Sequence, residues 1–261
     1  MDEWNWRPDG HLPDLGRDEQ ETYAWQMDVT GLGEAAQRRL KAATVMVSRV
    51  GGLGGVVAMQ LAAAGIGRLV LAHGGVVKAS DLNRQLLMSA DAVGTPRMGC
   101  IVDRIRALNP RVAVVAEPRH VTESNAARLV GLADVVVDCA PLFAERYLMN
   151  REAMRRGIPM VEAAVRDLEL HVTTFQRGTT GCLRCLYPDD STEWRRRFPV
   201  VAPVPGVAGS LAAMEVLKVL TGMGRPLLGR MLVADLGTLE FRTLKLHRIV
   251  DCPVCGQGAT C

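Results

Sequence analysis

Residues 44–58 read TVMVSRVGGLGGVVA, and this stretch decides the fold. Val45, Met46 and Val47 form an apolar run, Gly51, Gly52, Gly54 and Gly55 interrupt it, and an apolar helical pattern follows. Strand, glycine turn and helix in that order open a doubly wound α/β sheet. The glycines let the backbone approach a phosphate, and the helix N-terminus offers unpaired N–H groups. Arg49 stands where the first glycine of a G-x-G-x-x-G pattern belongs. The stretch therefore raises the question of what this turn still binds.

Outward from the turn, a short helix is expected at 34–41 and the first strand at 44–48. The helix after the turn covers 55–64 and leads to the strand RLVLA at 68–72. Residues 76–98 read as a loop with a short helix around 81–88. A helix after Pro96 runs to about Leu108 and stops at Asn109-Pro110, a helix-ending pair. VAVVAE (112–117) and ADVVVDCA (133–140) are strands flanking a helix at 122–131, and a helix at 143–156 precedes the strand IPMVEAA. This alternation means a mainly parallel sheet with right-handed crossovers. After residue 168, LHVTTFQ, RMLVADL and EFRTLKLH lie near turns and read as a mixed or antiparallel extension. Residues 187–205 read as a Pro- and Arg-rich crossing loop, and 207–222 as a helix ending at Gly222. The expected organisation is a mobile extension at 1–20 and one domain at 21–261. Its nucleotide-binding half spans about 44–165, and the crossing loop with a C-terminal lobe about 166–256.

The chain has 261 residues, 48% of them hydrophobic. That suits one large α/β domain whose strands are covered on both faces. A net charge of +3 is too small to imply nucleic acid. No apolar run reaches the roughly 18–20 residues that cross a bilayer, and the polar N-terminus lacks the apolar core of a signal peptide. The expectation is a cytoplasmic protein that engages neither nucleic acid nor membrane.

Seven cysteines do not form an even disulfide set. Four of them make two C-x-x-C pairs, GCLRC with Cys182 and Cys185 and DCPVC with Cys252 and Cys255. Such knuckles in a reducing compartment point to metal. Four thiolates close a tetrahedron around Zn²⁺, so the site is structural and staples the crossing loop to the C-terminus. The alternative is two unrelated buried or redox pairs.

The glycine turn is followed in order by SDLNRQLLMSADAVGTPR, ALNP, DVVVDCA, GCLRCLYP, APVPGVAGSLAAMEVLK and CPVCG. With this set the chain resembles the ThiF/MoeB/HesA family, the bacterial relatives of ubiquitin-activating enzymes, from about Tyr23 to Gly256. The resemblance implies Mg-ATP-dependent adenylation of the C-terminus of a ubiquitin-like or sulfur-carrier protein, or of a small peptide. It also implies a site built from two subunits, as a homodimer or as a heterodimer with an intact family member.

Carried onto this chain, the resemblance puts a nucleotide over Gly51, Gly52 and Gly54, with Arg84, Gln85 and Arg97 toward phosphate and Asp138 close by. Several positions depart from the family pattern. Arg49 replaces the first glycine, and His73 the carboxylate that holds the ribose hydroxyls. A neutral imidazole bonds one hydroxyl where a carboxylate accepts two. Asp81 replaces an asparagine, Arg97 the phosphate lysine, and Pro141 the Mg²⁺-binding carboxylate. Trp25 replaces an arginine that reaches into the partner's site, and the region Trp194–Phe198 lacks the cysteine of thioester-forming members.

Positions that stabilise charge are the ones phosphoryl-transfer chemistry depends on. The replacements argue against Mg-ATP catalysis in the family's manner, with partner binding retained and Arg84 and Arg97 as residual catalytic groups. A working adenylyltransferase with an atypical site, importing metal ligands from Asp81 or Asp138, is the alternative, and a different anionic ligand a third reading. Arg195, Arg196 and Arg197 read as a solvated loop or as a contact for an acidic partner. His120, His171 and His247 are expected to be structural, and Cys139 to be core.

Overall fold

The computed structural model describes residues 11–189 and 199–256. Trp194 and Arg195–Arg197, discussed above, lie outside them.

Eight strands form one sheet in the order β3-β2-β1-β4-β5-β6-β7-β8. β1 (Thr44–Ser48), β2 (Arg68–Ala72), β3 (Ala113–Glu117), β4 (Val135–Asp138) and β5 (Met160–Arg166) run parallel. β6 (Glu169–Phe175), β7 (Arg230–Asp235) and β8 (Glu240–Lys245) continue the sheet antiparallel. This is the expected doubly wound α/β fold with a mixed, Rossmann-like sheet.

Helices cover both faces. α1 (Arg17–Thr22), α2 (Ala24–Met27) and α3 (Gly33–Ala42) precede β1, α4 (Gly52–Ala63) follows the glycine turn, and α5 (Arg97–Leu108) leads into β3. α6 (Glu123–Val130), α7 (Phe143–Arg156), α8 (Leu183–Leu186) and α9 (Pro203–Thr221) complete the layers. Strand alternation assigns the faces. Val45 and Val47 pack with Val57, Leu61 and Val216 of α4 and α9, whereas Met46 packs with Leu129 and Met149 of α6 and α7. Each such side chain contributes about 1.5–3 kcal/mol by leaving water. α9 is long and apolar enough to cross a membrane, and most of it is buried inside this fold.

Among the elements that differ from expectation, two have a clear local cause. No helix forms at 81–88; a short 3-10 turn (Ala79–Asp81) stands there instead. The Asp81 carboxylate accepts its own Lys78 N–H and the Gln85 side-chain amide, and such local bonds compete with helix formation. α9 begins at Pro203 rather than at 207, because prolines in a first helical turn forfeit no hydrogen bond. Within the expected extension, residues 11–20 are tied down: Arg38 donates to the carbonyls of Leu12 and Pro13, and Lys41 to that of Asp14.

Candidate functional site

The parallel strands turn outward in opposite directions on either side of the β1–β4 junction, and ligands of doubly wound folds bind beyond the strand C-termini at such a point. A cavity of about 680 Å³ lies there. It is lined by the segments that leave β1 (Arg49, Gly51–Leu53), β2 (His73–Val76) and β4 (Cys139–Pro141), by His120 after β3, and by the Ala163–Arg166 end of β5.

The glycine turn is built for close approach. A Cβ on Gly54 would lie 2.7 Å from the Arg49 carbonyl oxygen and 2.9 Å from that of Ser48, so Gly54 lets α4 pack on β1. At Gly51 and Gly52 an added Cβ would instead meet the side chains of His73, Gln85 and Arg84. Arg49 adopts a positive φ of 52°, a conformation that glycine holds without cost and other residues hold under strain.

Its guanidinium repays that strain. Arg49 Nε donates to both oxygens of Glu145 at 3.0 and 2.7 Å, and Nη2 contacts Oε1. Nη1 lies 3.1 Å from His120 Nε2. Glu145 is in the first turn of α7, so the pair spans the β1–β4 crevice.

Other charges are paired as well. Asp81 Oδ2 accepts from Arg97 Nη2 at 3.2 Å, and Arg97 Nη1 donates to Gln85 Oε1 at 2.9 Å. Arg84 points its Nη1 at the Ser80 carbonyl and at Asn83. Asp138 is fully buried behind the cavity lining; it accepts from Arg146 Nε at 2.9 Å and from the Ala140 N–H. Burial raises its pKa against the pull of Arg146. Arg146 also contacts buried Glu162, which holds His171 Nε2 at 3.1 Å.

His73 is buried in the cavity wall. Burial first, then the Arg97 guanidinium, push its pKa down to about 3, while its hydrogen bond to the Val50 carbonyl works the other way. The imidazole is therefore neutral, and its buried Nδ1 has no partner. A neutral imidazole nitrogen without a donor has the capacity to accept one hydrogen bond.

His120 and His171 line the cavity rather than serving only as packing, and Cys139 lies in its lining although it also touches the core. Glu145, Glu162 and Arg146 escaped the sequence reading altogether. None belongs to a spaced motif, and only their partners across the fold give them meaning. Trp25 is 91% exposed on α2, between buried Tyr23 and Gln26, which bonds Gln37.

The four knuckle cysteines converge. Their Sγ atoms all lie within 4.8 Å of one another, with Cys182–Cys252 at 3.7 Å and Cys185–Cys255 at 3.4 Å. A zinc tetrathiolate with bonds of about 2.3 Å has sulfur–sulfur edges of roughly 3.8 Å, so the donor set fits zinc. The Ile249 N–H points at Cys185 Sγ, and α7 anchors the first knuckle through Asn150, which accepts the Leu183 N–H. Burial and the neighbouring thiols push Cys182 up to about 11, so a bound cation is what would hold these groups as thiolates.

Fold and site together define a doubly wound sheet with a cavity at its switch point and a converging four-cysteine cluster. The family model described as "ThiF family" matches residues 23–254. "Protein HesA" of Leptolyngbya boryana is 46% identical over 247 residues, 94% of this chain and 89% of that protein. "Sulfur carrier protein adenylyltransferase" of Thermus thermophilus is 38% identical over 253 residues, covering 94% and 93%. A solved structure of E. coli MccB with MccA superposes with a TM-score of 0.81 at 24% identity over 93% of this chain and 75% of that one, a likeness of fold. The chain belongs to the ThiF family.

Proposed function

We propose that this protein takes an adenine nucleotide and the C-terminal tail of a ubiquitin-like or sulfur-carrier protein, or of a peptide, into one cavity, with adenylation weakened or lost. The observation that carries this reading is the state of the carboxylates. Asp81, Asp138 and Glu145 are each held by an arginine, and Pro141 stands where the family resemblance implies a metal-binding carboxylate. Glycines at the turn and the bare His73 acceptor support nucleotide binding. Tail binding is supported by the apolar continuation of the cavity along Ala163, Val165, Leu170 and Val233. We place the protein in the cytoplasm, as a homodimer or beside an intact family member, with exposed Trp25 in the position from which a partner's site is reached.

ATP–pyrophosphate exchange, measured with candidate carrier tails, tests the reading. Exchange at background alongside calorimetric binding of nucleotide is the expected result. Exchange at rates typical of adenylyltransferases overturns it. An active enzyme with an atypical site is the second reading, favoured by 38% identity along nearly the whole of the Thermus thermophilus protein.

A further inference from the structure

Mg²⁺ at a nucleotide site is a hard cation, held by one or two carboxylates together with the ligand's phosphates. Near the glycine turn, the oxygens of Asp81, Asp138 and Glu145 already accept hydrogen bonds, and each carboxylate carries an arginine that a divalent cation would have to displace. Asp81 Oδ1 takes the Gln85 amide, and Oδ2 takes both the Lys78 N–H and Arg97. Asp138 gives one oxygen to the Ala140 N–H and the other to Arg146. Both oxygens of Glu145 face Arg49. Glu169 does line the cavity unpaired, but it sits on β6, three strand spacings or roughly 14 Å from β1. The donor set does not fit Mg²⁺.

Cations are what the lining supplies. Arg49 lines the cavity with Nη1 3.1 Å from His120 Nε2, Arg84 is partly exposed and meets Asp81 only at 3.8 Å, and among the described residues the Lys78 amine has neither hydrogen bond nor ion pair. Guanidinium groups match phosphate oxygens in geometry and stay charged. A divalent cation placed among them would be repelled. Taking the cavity as the nucleotide site read above, we propose that it holds the nucleotide's phosphates with Arg49, Arg84 and Lys78 alone, without a divalent cation. Lys78 and Arg84 carry most of the charge that a metal ion would supply elsewhere, since Glu145 already offsets that of Arg49.

Calorimetric titration of the zinc-loaded protein with ATP tests this, in buffer freed of Mg²⁺ by resin and again with Mg²⁺ added. Resin is used because a soluble chelator would strip the cysteine site. Binding as tight without Mg²⁺ as with it is expected, and Arg84→Ala should weaken both by about tenfold, the loss of one charge-assisted contact. In Pro141→Asp, which restores a carboxylate, Mg²⁺ should tighten ATP while the unaltered protein stays indifferent. Mg²⁺ tightening ATP about tenfold in the unaltered protein overturns the metal-free site and leaves the nucleotide reading standing. Absence of binding in both buffers overturns the nucleotide reading and the metal-free site together.

Discussion

Arg49 and Glu145, ninety-six residues apart, close across the β1–β4 crevice as a forked ion pair with side chains only 12% and 9% exposed. The pair links the turn after β1 to the first turn of α7. It converts a position where glycine is expected into a fixed, charge-compensated guanidinium on the wall of the cavity.

Glu145→Ala should destabilise the protein by about 3–5 kcal/mol, because it leaves a nearly buried guanidinium unpaired. The double variant Arg49→Gly/Glu145→Ala should lose less than Glu145→Ala alone, since it also relieves the positive φ at residue 49, a strain of about 1–3 kcal/mol. Urea unfolding of the single and double variants measures the coupling. Additive losses would show that the two residues are energetically independent.

The glycines of the turn should separate by role. Gly54→Ala drives a methyl into two backbone carbonyls and should cost about 1–3 kcal/mol of stability, the usual range for overpacking. Gly52→Ala meets the flexible Arg84 side chain at 3.2 Å and touches a backbone oxygen only at an ordinary 3.5 Å. It should spare stability and act on nucleotide affinity, read by thermal unfolding with and without nucleotide.

Zinc content should be one ion per chain by elemental analysis, falling to a small fraction in Cys182→Ser. Loss of the staple frees the segment after β8 from α7. A cost of about 3 kcal/mol corresponds to a fall in Tm of roughly 6–12 °C for a chain of this size. An unchanged Tm together with undiminished metal would sink the tetrathiolate assignment.

Stability should decline on acidification below about pH 6.5. His73 and His171 are held neutral, burial first among the causes, with pKa values near 3 and 4 against the ordinary 6.5. The unfolded chain therefore binds the extra protons, and stability is full above 6.5 and lost as pH falls toward those values. Each histidine contributes a slope of up to about 1.4 kcal/mol per pH unit within that window. Buried Asp138, whose pKa is raised, acts in the opposite sense: its contribution is present at low pH and fades as the unfolded carboxyl ionises. Urea unfolding across pH 4–7 should show a flatter slope in His73→Asn, and an unchanged slope would refute the assignment.

Much of this architecture was legible along the chain. Five parallel strands announced themselves as apolar runs because strands covered on both faces need no polar positions. β1 was read to the residue, and the cysteine knuckles carried their chemistry in their spacing. The 81–88 segment was misread because its carboxylate bonds its own backbone, and the start of α9 because prolines in a first turn look like loop. His120 and His171 hold structural hydrogen bonds to Gly74 and Glu162, and that they also line the cavity is not visible in any spacing.

Local pattern thus settled the strands, the turn and the four thiols, since hydrophobic period and short ligand spacing act over a few residues. Only the packed fold decided which charges stay available. Arg49 replaces a glycine in the sequence but is tied down by Glu145 in the fold, and Asp81 and Asp138, candidate metal ligands by sequence, carry Arg97 and Arg146. The reason is physical: a charge leaving water must meet its counter-charge in space, and no sequence period records where on another strand or helix that partner lies.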